Sequence, residues 1–532
     1  MIGTVKNKYL SIVLILLLPL SLLSQVEFTS SNLPIIVIET DTLEIVDEYR
    51  IVAQMGIISN GDNVRNHMDD SYNNYSGNIS IEFRGSTSQV FPKKSYGFET
   101  QDADGNNLNV SLLDLPEEND WVLYAPFIDK SLIRNILSYQ LAGELGNYAP
   151  RTKLCELVLN GEYRGVYVLI EKIKRDKNRV DIAKLKPDEI SGDDLTGGYI
   201  LKMDKLTGNS GSYWSTSLGG GIYFQYEYPK YDEILPQQQD YILNYLNNFE
   251  QALVSDQFAD PENGYRKYLD ESSFVDFFII NEISKNVDGY FLSTFLFKDK
   301  ESRGGKLTIG PVWDFNLAFG IADFREGYKT DGFQVRINPS PWWWDRLFQD
   351  PKFVSEIRSR WSHIRSTHFT NEAILENIDS LSLLLEESQQ RNFERWDILD
   401  YQIWPTYYLC KSFEDEIDRL KSWTTERLRW LDQNLESWTR IETISTNLEI
   451  RIYPNPFKEN LYYEFSLNRH ENVSLILYDL NGREISRIID DIPYAAGTYT
   501  KEWNASELPG AIYLLVMKIN GETVSIKKIV KL

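Results

Sequence analysis

Asp314 and Asn316 stand two residues apart inside an apolar run, GPVWDFNLAFG (310–320). On a strand, side chains two apart share a face, so a carboxylate and an amide oxygen would converge on one point. A carboxylate among apolar neighbours is costly unless charge or hydrogen bonding compensates it. Either the aspartate ties down a turn through bonds to the backbone, or a bound cation supplies the compensation. Asp288, in NVDGYFLSTFLFKD (286–299), sits where a helical pattern gives way to a β-rich run. Such junctions hold catalytic groups, and they also hold plain caps and turn residues. A third stretch, EFRGSTSQVFPKKSYGFE (82–99), runs from a strand into Gly85 and a Ser/Thr-rich bend, then into Lys93-Lys94 at the start of a second strand. Amides and hydroxyls at such a bend can cradle phosphate, with a lysine as the point charge. A hairpin with solvated lysines has the same sequence, and the pattern GxxxxGK[ST] is absent.

These residues need elements to hold them. Residues 30–130 alternate short apolar runs with Asn, Asp, Gly and Ser clusters, the chemistry of strands and turns. SLIRNILSYQLAGELG (131–146) has helical spacing and a stop at Gly146. Asn160-Gly161 between two β-rich runs in LCELVLNGEYRGVYVLI (154–170) predicts a hairpin. From Gln238 onward, QDYILNYLNNFEQALV, SSFVDFFIINEIS and much of 352–438 read as amphipathic helices, with 310–320 as a strand pair among them. The expectation is an α+β core of two lobes, β-rich then mainly helical. After Arg440, two Asn-Gly turns and short alternating strands predict a small all-β sandwich of about 80 residues.

The 532 residues call for more than one unit, and 42% hydrophobic with 13% aromatic content can build large cores. A net charge of −23 disfavours nucleic acid as a partner. Four histidines and two cysteines form no zinc pattern, and Cys155 and Cys410 allow at most one disulfide. MIGTVKNKYLSIVLILLLPLSLLSQ, with Lys6 and Lys8 before an apolar stretch, reads as an export signal over 1–25. No later segment has 18 uninterrupted apolar residues, so no membrane span is expected in the mature chain.

Two resemblances organise the rest. Tyr453-Pro454-Asn455-Pro456-Phe457, the Asp479-Leu480-Asn481-Gly482-Arg483 turn and the Lys-Ile-Val-Lys-Leu ending resemble the C-terminal sorting domain of the type IX secretion system. That resemblance implies export, with the secretion machinery as a partner and a secreted or cell-surface location. In protein kinases a base aspartate is followed five residues on by a metal-binding asparagine, and a second metal aspartate lies on a later strand turn. Asp288 and Asp314 repeat the order, although Ser293 takes the asparagine offset and no His-Arg pair precedes Asp288. RGSTSQVFPKKSYGFE, NDWVLYAPFIDKSLIRN, YRGVYVLIEKIKRD, GGYILKMDK, NVDGYFLS and GPVWDFNLAFG, in that order, resemble the CotH family, whose members have an atypical protein-kinase-like fold. The resemblance implies ATP-dependent transfer of a phosphoryl group to a protein hydroxyl. It matches Asp288 to the catalytic aspartate and Asp314 to the Mg²⁺ (or Mn²⁺) aspartate, with Asn316 supplying an amide oxygen. Lys94, paired with Glu171, is the first choice for the phosphate lysine, and Lys202 competes with it.

The expected organisation is a signal peptide at 1–25, a CotH kinase-like domain at 26–440, a linker at 441–452 and the sorting domain at 453–532. The rival reading is a surface adhesin that keeps the fold without turnover, favoured by Ser293, the missing His-Arg pair and scarce ATP outside cells. A third reading, an exported carbohydrate-active enzyme, would draw on Trp342, Trp343 and Trp344, but three consecutive tryptophans cannot share one face and core packing is expected of them. Arg84 and Arg134 are read as buried and paired with carboxylates. QDADGNN (101–107) lacks the Gly and Glu of a calcium loop and reads as a hairpin tip.

Overall fold

The computed structural model describes residues 26–206, 212–218, 222–436, 450–467, 471–479, 483–495, 497–519 and 522–532. The expected signal peptide, most of the linker and both Asn-Gly turns of the tail lie outside them. The chain divides into two compact units, 1–439 and 440–532.

The first unit opens with a closed barrel. Its strands are β1 (Ile35–Glu39), β2 (Ile51–Ile58), β3 (Tyr75–Arg84), β4 (Ser95–Gln101) and β5 (Asp120–Tyr124), then, after helix α1 (Arg134–Glu144), β6 (Thr152–Leu159) and β7 (Glu162–Glu171). The order around the barrel is β1-β2-β3-β4-β5-β7-β6, and a parallel β6–β1 pairing closes it. Alternation fills the interior: Ile36 and Ile38, Ile79 and Ile81, Phe98, Trp121 and Leu169 meet inside. Ile35 and Val37 face the other way but pack on Ile58 and Val158, so β1 is buried on both faces and reads IIVI without a polar break. Asn160 and Gly161 both take positive φ, as the expected β6–β7 hairpin requires.

A five-stranded sheet follows, built from β8 (Tyr199–Met203), β9 (Tyr213–Trp214), β10 (Phe224–Tyr228), β11 (Thr294–Lys298) and β12 (Leu307–Ile309) in the order β9-β10-β8-β11-β12. Helices α2 (Pro236–Val254) and α3 (Glu271–Ser284) interrupt it. Helix α3 is buried from Ser273 to Ser284 on every side, with apolar residues all round it and Asp276, Asn281 and Glu282 buried among them. Helices α4 (Pro351–Arg365), α5 (Asn371–Leu385), α6 (Ser388–Arg395) and α7 (Phe413–Glu436) complete the unit.

Helix α6 clamps the barrel wall. Asn392 Oδ1 accepts from the Val166 amide at 3.1 Å and from Lys93 Nζ at 2.8 Å, while Arg391 pairs with Glu156 at 2.6 Å. Gly165, next in line, has φ +96 and a Cβ there would meet Asn392 Oδ1 at 2.6 Å. Trp343 and Trp344 are core residues, with Trp343 Nε1 donating to Glu250 at 2.8 Å. Residues 102–106 form the expected hairpin tip on the Asp102 carboxylate, and Cys155 and Cys410 are free.

The second unit is all β. β13 (Arg451–Tyr453), β14 (Asn460–Leu467) and β17 (Gly497–Asn504) form one sheet in the order β13-β14-β17. β15 (Glu471–Tyr478), β16 (Glu484–Tyr494), β18 (Ile512–Ile519) and β19 (Glu522–Val530) form the other, ordered β16-β15-β18-β19. Phe457, Leu461, Phe465, Leu475, Leu515 and Ile529 make the core between them.

Candidate active site

A cleft of about 580 Å³ is lined by Gly85–Ser88 from the β3–β4 bend, Lys202 and Asp204 from the end of β8, Asp288 from the turn after α3, and Asp314 and Asn316 from the segment after β12. That is within the usual size of small-ligand sites.

Asp288 is set by its turn. Helix α3 ends at Lys285 in the left-handed region, and the Asn286 side chain then accepts the Asp288 amide at 3.2 Å. Buried Asn338 holds the turn from outside, donating to the carbonyls of Asn286 at 3.0 Å and Gly289 at 2.8 Å. Gly289 is required because a Cβ would lie 2.1 Å from Asn281 Oδ1. The Asp288 carboxylate faces Arg325 Nη1 at 3.5 Å. Burial raises its pKa, and Arg325 and Lys205 oppose the rise.

Residues 310–320 are not a strand, which corrects the expectation. The sheet ends at Ile309; Gly310 has φ +123, Pro311 has no N–H for the ladder, and Asp314 has φ +63. Asp314 and Asn316 therefore reach the same cleft without the alternation that was expected to align them. Helix α1 fixes the segment instead: the Asp314 amide donates to Tyr139 Oη at 3.0 Å and the Phe315 amide to Asn135 Oδ1 at 2.7 Å. Among the described residues the Asp314 carboxylate and the Asn316 amide group have no hydrogen-bonding partner. Burial, then the charges of Asp288 and Asp204, push the Asp314 carboxyl up to about 6, against Arg84 and Lys205.

Arg84 is not carboxylate-paired as expected. Its guanidinium lies 4.9 Å from the ring centre of Trp313, with Trp313 stacked on Tyr139. Arg134, by contrast, is fully buried between Asp129 at 2.5 Å and Glu416 at 2.7 Å, and its Nε donates to the Ala318 carbonyl at 3.0 Å. The β3–β4 bend turns through a short 3-10 segment, Thr87–Val90, after Gly85 at φ +104. The amides of Ser86, Thr87 and Ser88 donate to nothing among the described residues.

The lysine assignment divides. Lys202 lines the cleft, with Asp204 at 3.7 Å and Glu227 at 4.0 Å. Lys94 does not line it; its Nζ bonds the Gln89 carbonyl. Nor does it reach Glu171, which is buried and holds Arg151 at 3.1 Å and Tyr148 Oη at 3.2 Å. The register explains the gap. Tyr167 Oη bonds the Lys94 carbonyl, and Glu171 is four residues further along β7, about 13 Å away. Sequence reading missed Asp204, Arg325 and the Arg84–Trp313 stack. Only Asp204 left a signal there, two residues from Lys202 on a strand and so on its face.

A metal fits this donor set. The group with most to gain is Asp314, a half-buried carboxylate without a partner, beside two other negative charges. Among the described residues no three His, Cys, Asp or Glu side chains form a chelating group. Mg²⁺ needs only one or two carboxylates when phosphate and water complete its shell.

The family model for the secretion system C-terminal sorting domain matches residues 451–531. That supports export by type IX secretion and a cell-surface or secreted location. Among the described residues no helix is long and apolar enough to cross a membrane. Among curated proteins nothing matches. Among solved structures, a Pseudomonas fluorescens alkylpurine DNA glycosylase, AlkC, bound to DNA containing an abasic site analog is 9% identical, with a TM-score of 0.13 over 35% of this chain and 54% of that one. The chain thus spans about half the length of that structure, and the likeness carries no argument. The family model for the CotH kinase protein matches residues 81–431, more than half of the chain, and the chain belongs to that family.

Proposed function

We propose that this exported CotH-family protein transfers the γ-phosphoryl group of ATP to a protein hydroxyl, across a cleft between a β-rich lobe and a helical one. The observation that carries the reading is the meeting of Asp288, Asp314 and the Ser86–Ser88 amides in one cleft, from three distant parts of the chain. Arg84 and Lys202 supply cationic charge there, and the free amides of the bend bind phosphate oxygens. Asp314 and Asn316 would hold Mg²⁺ or Mn²⁺, which when bound neutralises phosphate charge. Asp288 orients the acceptor hydroxyl and takes its proton, while Arg325 and Asn338 keep the carboxylate in place. A non-catalytic reading draws on one observation, the Asp288–Arg325 pair, which also makes sense as a plain structural contact.

The test is labelled ATP with Mg²⁺ or Mn²⁺, scored for self-labelling and for labelling of added proteins. Asp288→Asn should lower transfer by about 10²–10⁴-fold with nucleotide affinity and melting temperature kept. Equal transfer by both proteins refutes the catalytic role. No transfer by wild type with any acceptor favours the adhesin.

A further inference from the structure

A second cavity, of about 250 Å³, lies behind the segment that carries Asp314. Its walls are the end of α1 (Ala142, Leu145), the middle of α3 (Phe277, Ile280) and the exit from β12 (Ile309, Pro311). It is thus mostly apolar, and interiors packed like organic crystals do not leave such volume empty by default. It is not sealed. Leu145, Asn147 and Asp276 also line a larger, polar groove of about 630 Å³ on the outside. Between the two stands a polar gate. Arg360 Nε bonds Asp276 Oδ1 at 2.8 Å, Arg360 Nη2 reaches the Leu145 carbonyl at 2.6 Å, and Asn147 donates to Asp276 at 3.0 Å.

We propose that this cavity is a binding site for a small amphiphilic molecule. Its apolar body, of one or two fused rings, fills the space between α1 and α3, and its polar end meets Asp276, Arg360 and Asn147. The wall formed by Gly310, Pro311 and Val312 continues directly into Trp313 and Asp314, so an occupant braces the segment that presents Asp314. Helix α1 is shared by both sites, with Ala142 on the cavity and Asn135 and Tyr139 on the Asp314 segment. Ligand binding here does not depend on the catalytic reading.

The probe is prodan, a naphthalene with a polar end whose emission shifts blue in apolar surroundings. The full chain should bind it saturably, one per molecule. Ala142→Phe from the helix wall and Thr308→Phe from the strand wall fill the space, and each should weaken binding at least tenfold with a cooperative melt retained. Leu383→Phe, far out on the exposed face of α5, should leave it unchanged. Hydrogen–deuterium exchange within 310–320 should slow several-fold with prodan bound, whether or not the protein transfers phosphate. Absence of saturable binding, or wild-type affinity in either folded cavity variant, overturns the site. Unchanged exchange in 310–320 overturns the bracing.

Discussion

Asp314 shows what a residue's type reveals and what it hides. An aspartate inside an apolar run was legible as a candidate for the cleft it lines, but its geometry was not, because Gly310, Pro311 and the left-handed backbone at Asp314 take the chain off the sheet. The Lys94–Glu171 pair failed for a related reason: which residues meet across a barrel depends on register, which no single strand displays. The raised pKa of Asp314 gives a signed prediction. Its carboxyl goes from an ordinary value near 3.8 to about 6 on folding, so the folded state binds the proton more tightly. Its contribution is neutral below about 4 and becomes a penalty as pH rises through 6, on the order of a few kcal/mol without metal. Metal-free protein should therefore lose stability between pH 4 and 6, and Asp314→Asn should flatten that part of the melting-temperature profile. The same variant should lose metal-dependent ATP binding, measured by calorimetry, while wild-type affinity for Mg²⁺ falls below pH 6. Equal pH profiles for variant and wild type would mean that Asp314 carries no such burden.

At the scale of elements, local signals were read well. Helices α1, α2 and α3 and the Asn160-Gly161 hairpin lie where spacing and turn chemistry put them. The barrel was not legible, because its closing seam joins residues 35–38 to 156–159, and pairing across that distance leaves no periodic trace. The turn after α3 is the element on which the site depends most. Asn338→Ala would leave the carbonyls of Asn286 and Gly289 without their donor, at roughly 1–3 kcal/mol for each buried group. The expected result is a lower melting temperature and at least a tenfold loss of transfer, with ATP affinity kept, since the phosphate-facing groups sit on other elements. A loss of affinity equal to the loss of rate would show that Asn338 supports the whole cleft.

For the whole molecule, the division at 439–440 separates two tasks. The chemistry-bearing side chains of the cleft all lie in the first unit, and the sorting match lies in the second. Removing residues 450–532 should leave ATP binding unchanged and hold the protein in the periplasm, which fractionation checks. A well-folded truncation that binds no ATP would contradict this division. The clamp of helix α6 on the barrel also sets an order of events. Lys93 lies in the β3–β4 connection against the barrel wall, where burial lowers its pKa to about 7, and one of its two closest acceptors is Asn392. A nascent chain emerges N-terminus first. Its barrel strands are all available by residue 171, yet Lys93 waits for a side chain more than two hundred residues behind. Until α6 arrives that amine lacks Asn392 and keeps water in its place, so the burial of one lysine waits on the position of one asparagine.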